Sequence, residues 1–292
     1  MIKWTITSRH KPGMTTERFY YEWSVLHVAL MLTNASTMRV FRRYTQHFAI
    51  LGVPGAVRLL PQHELAWESF AEHWIDRPED ILPSIQSEDY LGRMRPHSFS
   101  DSAMELQLLA GETIWERDGF RSGGVKVVNT LKRPEGMDQD AFEAEWAGRH
   151  APAVVAALRE KGLRKYVIDR PLRLESETFR TSLFAHGKVG QYAGTEELWF
   201  DDAASAARMG EDPALREALG EGYARLVDVP RSHSMYVVER VVFDFVTPGE
   251  AMPQAAVLDP ASAEARASAG DWLVTAPALA GWPALVEKGG LR

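Results

Sequence analysis

The sequence predicts an α+β protein made of two ferredoxin-like βαββαβ units packed sheet to sheet, and three observations carry that prediction. First, one motif occurs twice. Lys3, Met14, Phe19, Trp23 and His27 recur as Lys126, Met137, Phe142, Trp146 and His150, at a constant offset of 123 residues. Such a repeat constrains the architecture before any single element is assigned. Second, each copy reads strand, helix, strand, strand, helix, strand, the order of the split βαβ unit. Third, a sheet with helices on one face leaves the other face bare, and two copies meeting bare face to bare face bury both in a barrel-like sandwich.

The opening strands are the alternating Lys3-Trp4-Thr5-Ile6-Thr7 and the β-branched run from Val125 to Leu131. Turns at Pro12-Gly13 and Pro134-Glu135-Gly136 follow. Thr15 and Asp138 then stand where helix N-caps belong. The first helix carries an apolar stripe through Phe19, Trp23, Leu26 and Leu30, or through Phe142, Trp146 and Ala153. In the second copy Pro152 is expected to kink it beside His150. Strands are expected over 43–48 and 70–75, and over 164–168 and 195–200. Second helical regions span about 77–94 and 202–226, and closing strands 103–109 and 234–243. The expected domains are 1–122 and 123–246. A tail rich in Ala, Pro and Gly, 247–292, is expected to drape over its own barrel, with a dimerisation arm and hence a homodimer as the alternative.

Composition narrows the function. The apolar fraction of 45% and charged fraction of 25% are those of a globular protein, and 292 residues suffice for two cores. A net charge of -7 argues against nucleic acid or an anionic membrane as partner. With no cysteine there is no disulfide, thiolate ligation or cysteine nucleophile. No long apolar run or signal-peptide pattern is found, so a cytoplasmic protein is expected. The histidines show no metal-ligand spacing, and no Walker loop, dinucleotide fingerprint or nucleophile elbow occurs. The sequence therefore assigns no metal and no cofactor.

The run Lys132-Arg133-Pro134-Glu135-Gly136-Met137, followed by Phe142, Glu145-Trp146 and His150-Ala151-Pro152, resembles the EthD-like family of the dimeric α+β barrel superfamily. The resemblance covers roughly residues 1–245 as a tandem fusion. Copy one departs from it at Val28-Ala29 and at His10. The resemblance implies a small, mostly apolar cavity in each half, suited to an aromatic or alicyclic substrate. It leaves open cofactor-free monooxygenases, cyclases, dehydratases, isomerases, decarboxylating lyases and haem enzymes.

His27 and His150 are the first candidates for catalysis. Each borders the buried stripe of its helix, and imidazole moves protons near neutral pH. Tyr44 and Tyr166, an equivalent pair, could donate to a developing oxyanion. Trp23, Trp146, Trp74 and Trp199 could wall an aromatic site, with Thr7 and Asn129 orienting the substrate. His73 faces no equivalent in copy two, where Leu198 stands. Lys3 and Lys126 read as snorkelling strand ends. The expected function is a cofactor-independent lyase or isomerase on an aromatic or polyketide-like molecule. A cofactor-free monooxygenase of phenols, a haem protein with a proximal His and a non-catalytic binding module are the alternatives. Exchanges such as Ile6 for Asn129 and His73 for Leu198 predict one productive cavity per chain, because an unpaired buried polar group costs about 1–3 kcal/mol.

Overall fold

The computed structural model describes residues 1–120, 123–175, 177–190 and 192–246. The tail at 247–292 lies outside them. In the first half, β1 (Ile2–Ser8) leads to α1 (Thr16–Tyr21), a π-helical turn (Glu22–His27), α2 (Val28–Leu32) and α3 (Ala35–Val40). Then come β2 (Phe41–Ala49), β3 (Ser69–Ile75), α4 (Ile81–Ile85), α5 (Glu88–Met94) and β4 (Glu105–Glu116). The second half runs β5 (Gly124–Leu131), α6 (Gln139–Glu145), a π-helical turn (Trp146–His150), α7 (Ala151–Leu158) and β6 (Leu163–Pro171). It continues with β7 (Lys188–Val189), β8 (Gly194–Phe200), α8 (Ala203–Glu211), α9 (Pro213–Leu226) and β9 (His233–Asp244). The expected caps form: Thr15 accepts from the Arg18 amide at 3.2 Å and Asp138 from the Ala141 amide at 2.7 Å.

The expected barrel within one chain forms, but through paired strand edges rather than through two stacked sheets. The strand order β4-β1-β3-β2 in the first half is matched by β9-β5-β8-β6 in the second, all antiparallel. The edges do not stop there. β2 pairs with β9 and β4 with β6, so the eight strands close into one barrel with no exposed edge between the halves. Both joints carry a bulge at the same place, which leaves Val242 and Ile114 unpaired in register. Closure needs β4 longer than its sequence pattern suggested; its far end, Leu109–Glu116, is the part that meets β6.

The expected Pro152 kink takes another form. Both first helices widen into a π turn ending at the repeated histidine, and Ala29 holds the place of Pro152 in the first copy. Proline is therefore not the cause. The wide turn carries the Gly148 carbonyl away from the proline ring and so accommodates it.

Residues alternate along each strand between the helix-covered face and the barrel interior. Lys3 and Lys126 point inward and are fully buried, which corrects their reading as snorkelling ends. Lys3 Nζ stands 3.0 Å from Asp169 and 2.5 Å from Glu197. Lys126 pairs with Glu197, with Glu72 at 3.4 Å and with Glu239 at 3.2 Å. Burial alone would lower both ammonium pKa values, but the carboxylates raise them above the usual range. Trp74 and Trp199 share this interior, under Lys3 at 5.1 Å and Lys126 at 4.3 Å. No helix among the described residues is long and apolar enough to cross a membrane.

Removing one partner strands the others without compensation. Lys126→Met is therefore expected to cost about 3–5 kcal/mol of stability. Lys165→Met, at a partly exposed pair with Glu116, should cost about 1 kcal/mol or less. Urea unfolding of the two variants checks this difference.

Candidate active site

On the helix-covered face of the first half lies a cavity of about 240 Å³. Its walls include Trp4, Trp23, Tyr44, Tyr90, Phe99 and Phe184, and His27, His73 and His97 face it. The π turn places His27 at its edge, with the ring 5.8 Å from His97 and 5.2 Å from Phe99. His27 Nδ1 is buried and has no hydrogen-bond partner among the described residues. His97 Nδ1 faces the Glu22 carboxylate at 3.5 Å, and its buried Nε2 likewise has no partner among them. Burial, then the neighbouring His97 and His73, holds the His27 pKa down to about 3. Burial also lowers His97, and Glu22 partly opposes that shift. His73 stacks on Tyr44 at 4.8 Å, and burial lowers its pKa to about 4.

Tyr44 is placed to donate. Its hydroxyl accepts from Trp23 Nε1 at 3.1 Å and from Gln46 Nε2 at 2.9 Å. The Gln46 amide is oriented by Arg240, which donates to Oε1 at 3.1 Å. Both acceptor sites of the phenol are thus engaged, and among the described residues no group accepts its own proton. Burial raises the Tyr44 pKa, so that proton stays on.

The equivalent space in the second half is filled. Pairing aligns Ala71 with Glu196 and Ile6 with Asn129. Glu196 accepts from Trp146 Nε1 at 2.7 Å, Tyr166 Oη at 2.5 Å, Tyr223 Oη at 2.7 Å and Asn129 Nδ2 at 3.2 Å. His150 Nε2 lies 3.4 Å away, outside hydrogen-bond geometry, and its ring packs on Tyr223 at 4.6 Å. Burial pushes Glu196 up, yet His150, Tyr166 and Tyr223 outweigh it and hold the pKa at about 2.

Of the residues singled out from sequence, His27, Tyr44, Trp23 and His73 meet at the cavity. His150, Tyr166, Trp146 and Asn129 meet instead around Glu196. Trp74, Trp199 and Thr7 are elsewhere: alternation turns them into the barrel, while Ile6, Ser8 and His73 face the cavity. His97 and Glu196 carried no repeat signature, and Glu22, though repeated as Glu145, gave no sign of its contact with His97. Among the described residues, His47, Glu72 and Glu239 bring ligand atoms within 4.8 Å of one another, as a metal would require. The Lys126 ammonium already supplies positive charge there.

A closed α+β barrel with an aromatic-walled cavity beneath one helical layer is the class that this geometry defines. The EthD domain profile matches residues 11–100 and 134–230, and the chain belongs to the EthD family. It is 23% identical over 226 residues to the protein named chalcone isomerase cfoK from Aspergillus candidus, an alignment covering 75% of this chain and 88% of that one. Among solved structures, an anthrone oxidase-like protein superposes with a TM-score of 0.53 at 14% identity. That match covers 85% of this chain and 96% of the other, and it is a likeness of fold.

The depressed histidines set a pH dependence. Unfolded, they titrate near 6.5; folded, His27 and His233 titrate at about 3 and His73 at about 4. Between those values the unfolded chain binds more protons, so this contribution is present above about pH 6.5 and is lost as pH falls toward 4. Melting temperature should drop across that window, and His27→Phe/His73→Phe should flatten the drop. The stability that Glu196 contributes is present above its ordinary value of 4.5 and is lost only as pH falls from there toward about 2, which separates the two effects in a pH series of thermal melts.

Proposed function

We propose that this chain is a cofactor-independent isomerase or lyase acting on an aromatic, phenol-bearing small molecule in the cavity of the first half. The observation that carries the reading is the pair of unpartnered imidazole nitrogens, on His27 and His97, inside an aromatic-walled space beside the free Tyr44 proton. A proton acceptor and an oxyanion donor are what enolate chemistry needs. The relative named as a chalcone isomerase supports this class of substrate. On a 2′-hydroxychalcone, a histidine takes the phenol proton and the phenolate oxygen adds to the enone β-carbon. Tyr44 donates to the enolate oxygen, and the proton returns to the α-carbon, so no atom is lost or gained.

His97, set against Glu22, is the stronger base of the two. Neutral His27 pairs with negative charge as it develops on the substrate. The two halves are read as tandem EthD-like repeats divided near residue 122, with the second repeat structural. Its histidine packs beside Glu196 and Tyr223.

The test is turnover of 2′-hydroxychalcones with oxygen excluded. His27→Ala and His97→Ala should each lower kcat by about 10²–10⁴-fold. His150→Ala should keep most of the activity while losing stability. A phenolate-driven oxygenase would use the same base and pocket; turnover that stops without oxygen and consumes it when admitted would establish that reading instead. Equal losses from His27→Ala and His150→Ala would overturn the single-cavity assignment.

A further inference from the structure

We propose that the segment 179–184, carried by the second half, is the specificity-determining wall of the first-half cavity and selects aromatic ligands by their width. The proposal rests on reading that cavity as the active site. Each half sends its β2–β3-type connection across to the other. From the first half, Ile50, Val53, Val57 and Leu60 join the core of the second. That crossing is tightly held. Tyr236 donates to the Val57 carbonyl at 2.9 Å, Arg58 to Ser234 at 2.9 Å and Arg216 to Ala56 at 3.0 Å. A Cβ on Gly210 would stand 2.3 Å from the Val57 carbonyl oxygen, so the surfaces meet with no space between.

The return crossing is built differently. It is fastened to β4 at both ends, by Leu172 N to Leu108 O at 2.7 Å and Lys188 N to Met104 O at 2.9 Å. Gly187 seats against Leu106, where a Cβ would come within 2.5 Å of the side chain. Between these anchors, Phe179 stacks on Trp4 at 5.5 Å and Phe184 meets the same indole edge-on at 5.1 Å. Phe184 and Leu183 then line the cavity, and Leu183 remains 36% exposed. A side-chain bond from Gln86 Nε2 to Thr181 Oγ1 at 2.6 Å ties the span to the first half. The first crossing thus seals its target, whereas the second stops short and leaves a gap bounded by two apolar side chains. Ring size is what such a boundary discriminates, since each misfit group in an apolar pocket is worth about 10–200-fold.

Dissociation constants of 2′-hydroxydihydrochalcone, whose saturated linker cannot cyclise, and of its wider naphthyl analogue, measured calorimetrically, test this without reliance on turnover. Leu183→Trp, at a half-exposed position that folding tolerates, should weaken the naphthyl compound about tenfold more than the parent. Phe184→Ala should shift the ratio the other way by about fivefold, and Phe184→Leu by less. Val53→Ala, in the opposite crossing, should leave the ratio unchanged. Ratios constant within about twofold in both Leu183→Trp and Phe184→Ala, or an equal shift from Val53→Ala, would overturn the proposal. If the unmodified protein binds neither compound, the active-site reading fails. Anilinonaphthalene sulfonate then serves as probe: affinity that moves with Leu183 and Phe184 upholds the wall, and affinity blind to them ends it.

Discussion

At the axis of the barrel, Lys3 and Lys126 face Glu72 and Glu197, two residues from each half, with no water-exposed surface among them. Each ammonium reaches a carboxylate across the junction: Lys3 to Glu197 and Lys126 to Glu72. An isolated ion there would be intolerable, so the halves can close only in the register that pairs all four. Such a cross contributes little net stability compared with apolar packing. Its role here is to specify which barrel forms. Burial pushes Asp169 well above the usual carboxylate range and neighbouring Glu197 reinforces that shift, while the Lys3 ammonium opposes it.

With the interior fixed, the outer faces are free to diverge, and the contrast between Ala71 and Glu196 shows how far they have. The carboxylate in the second half collects donors from Trp146, Tyr166, Tyr223 and Asn129, all of them buried. In the first half, the small alanine leaves Trp23 to donate to Tyr44 instead, and among the described residues no group accepts the phenol proton. One methyl group against one carboxylate thus separates an open pocket from a polar plug.

The repeat made most of this architecture legible. A constant offset locates strands, caps and both histidines, and alternating or helical periodicity supplies their type. That the chain closes a barrel on itself was legible, but not which edges meet, because pairing between β2 and β9 depends on twist and strand length that no local pattern encodes. Nor was the fate of Trp74 and Trp199, which follows from a one-residue choice of face. His27 and Tyr44 could be read from equivalence between copies. His97 and Glu196 could not, since their roles come from contacts with Glu22 and with four donors distant in the chain. The buried lysines misled for a related reason: their partners lie 166 and 194 residues away for Lys3, and 54 and 71 for Lys126.

The widened helical turn before each histidine accommodates one residue more than an α-helix of the same rise, which rotates everything beyond it by about 100°. Two halves that differ at the pocket floor share this same insertion at the same place. Each half by itself is a four-stranded sheet with two edges, and the barrel closes only because each edge meets one from the other half. With both halves on one chain, that meeting does not depend on concentration, so closure of the barrel should be insensitive to dilution.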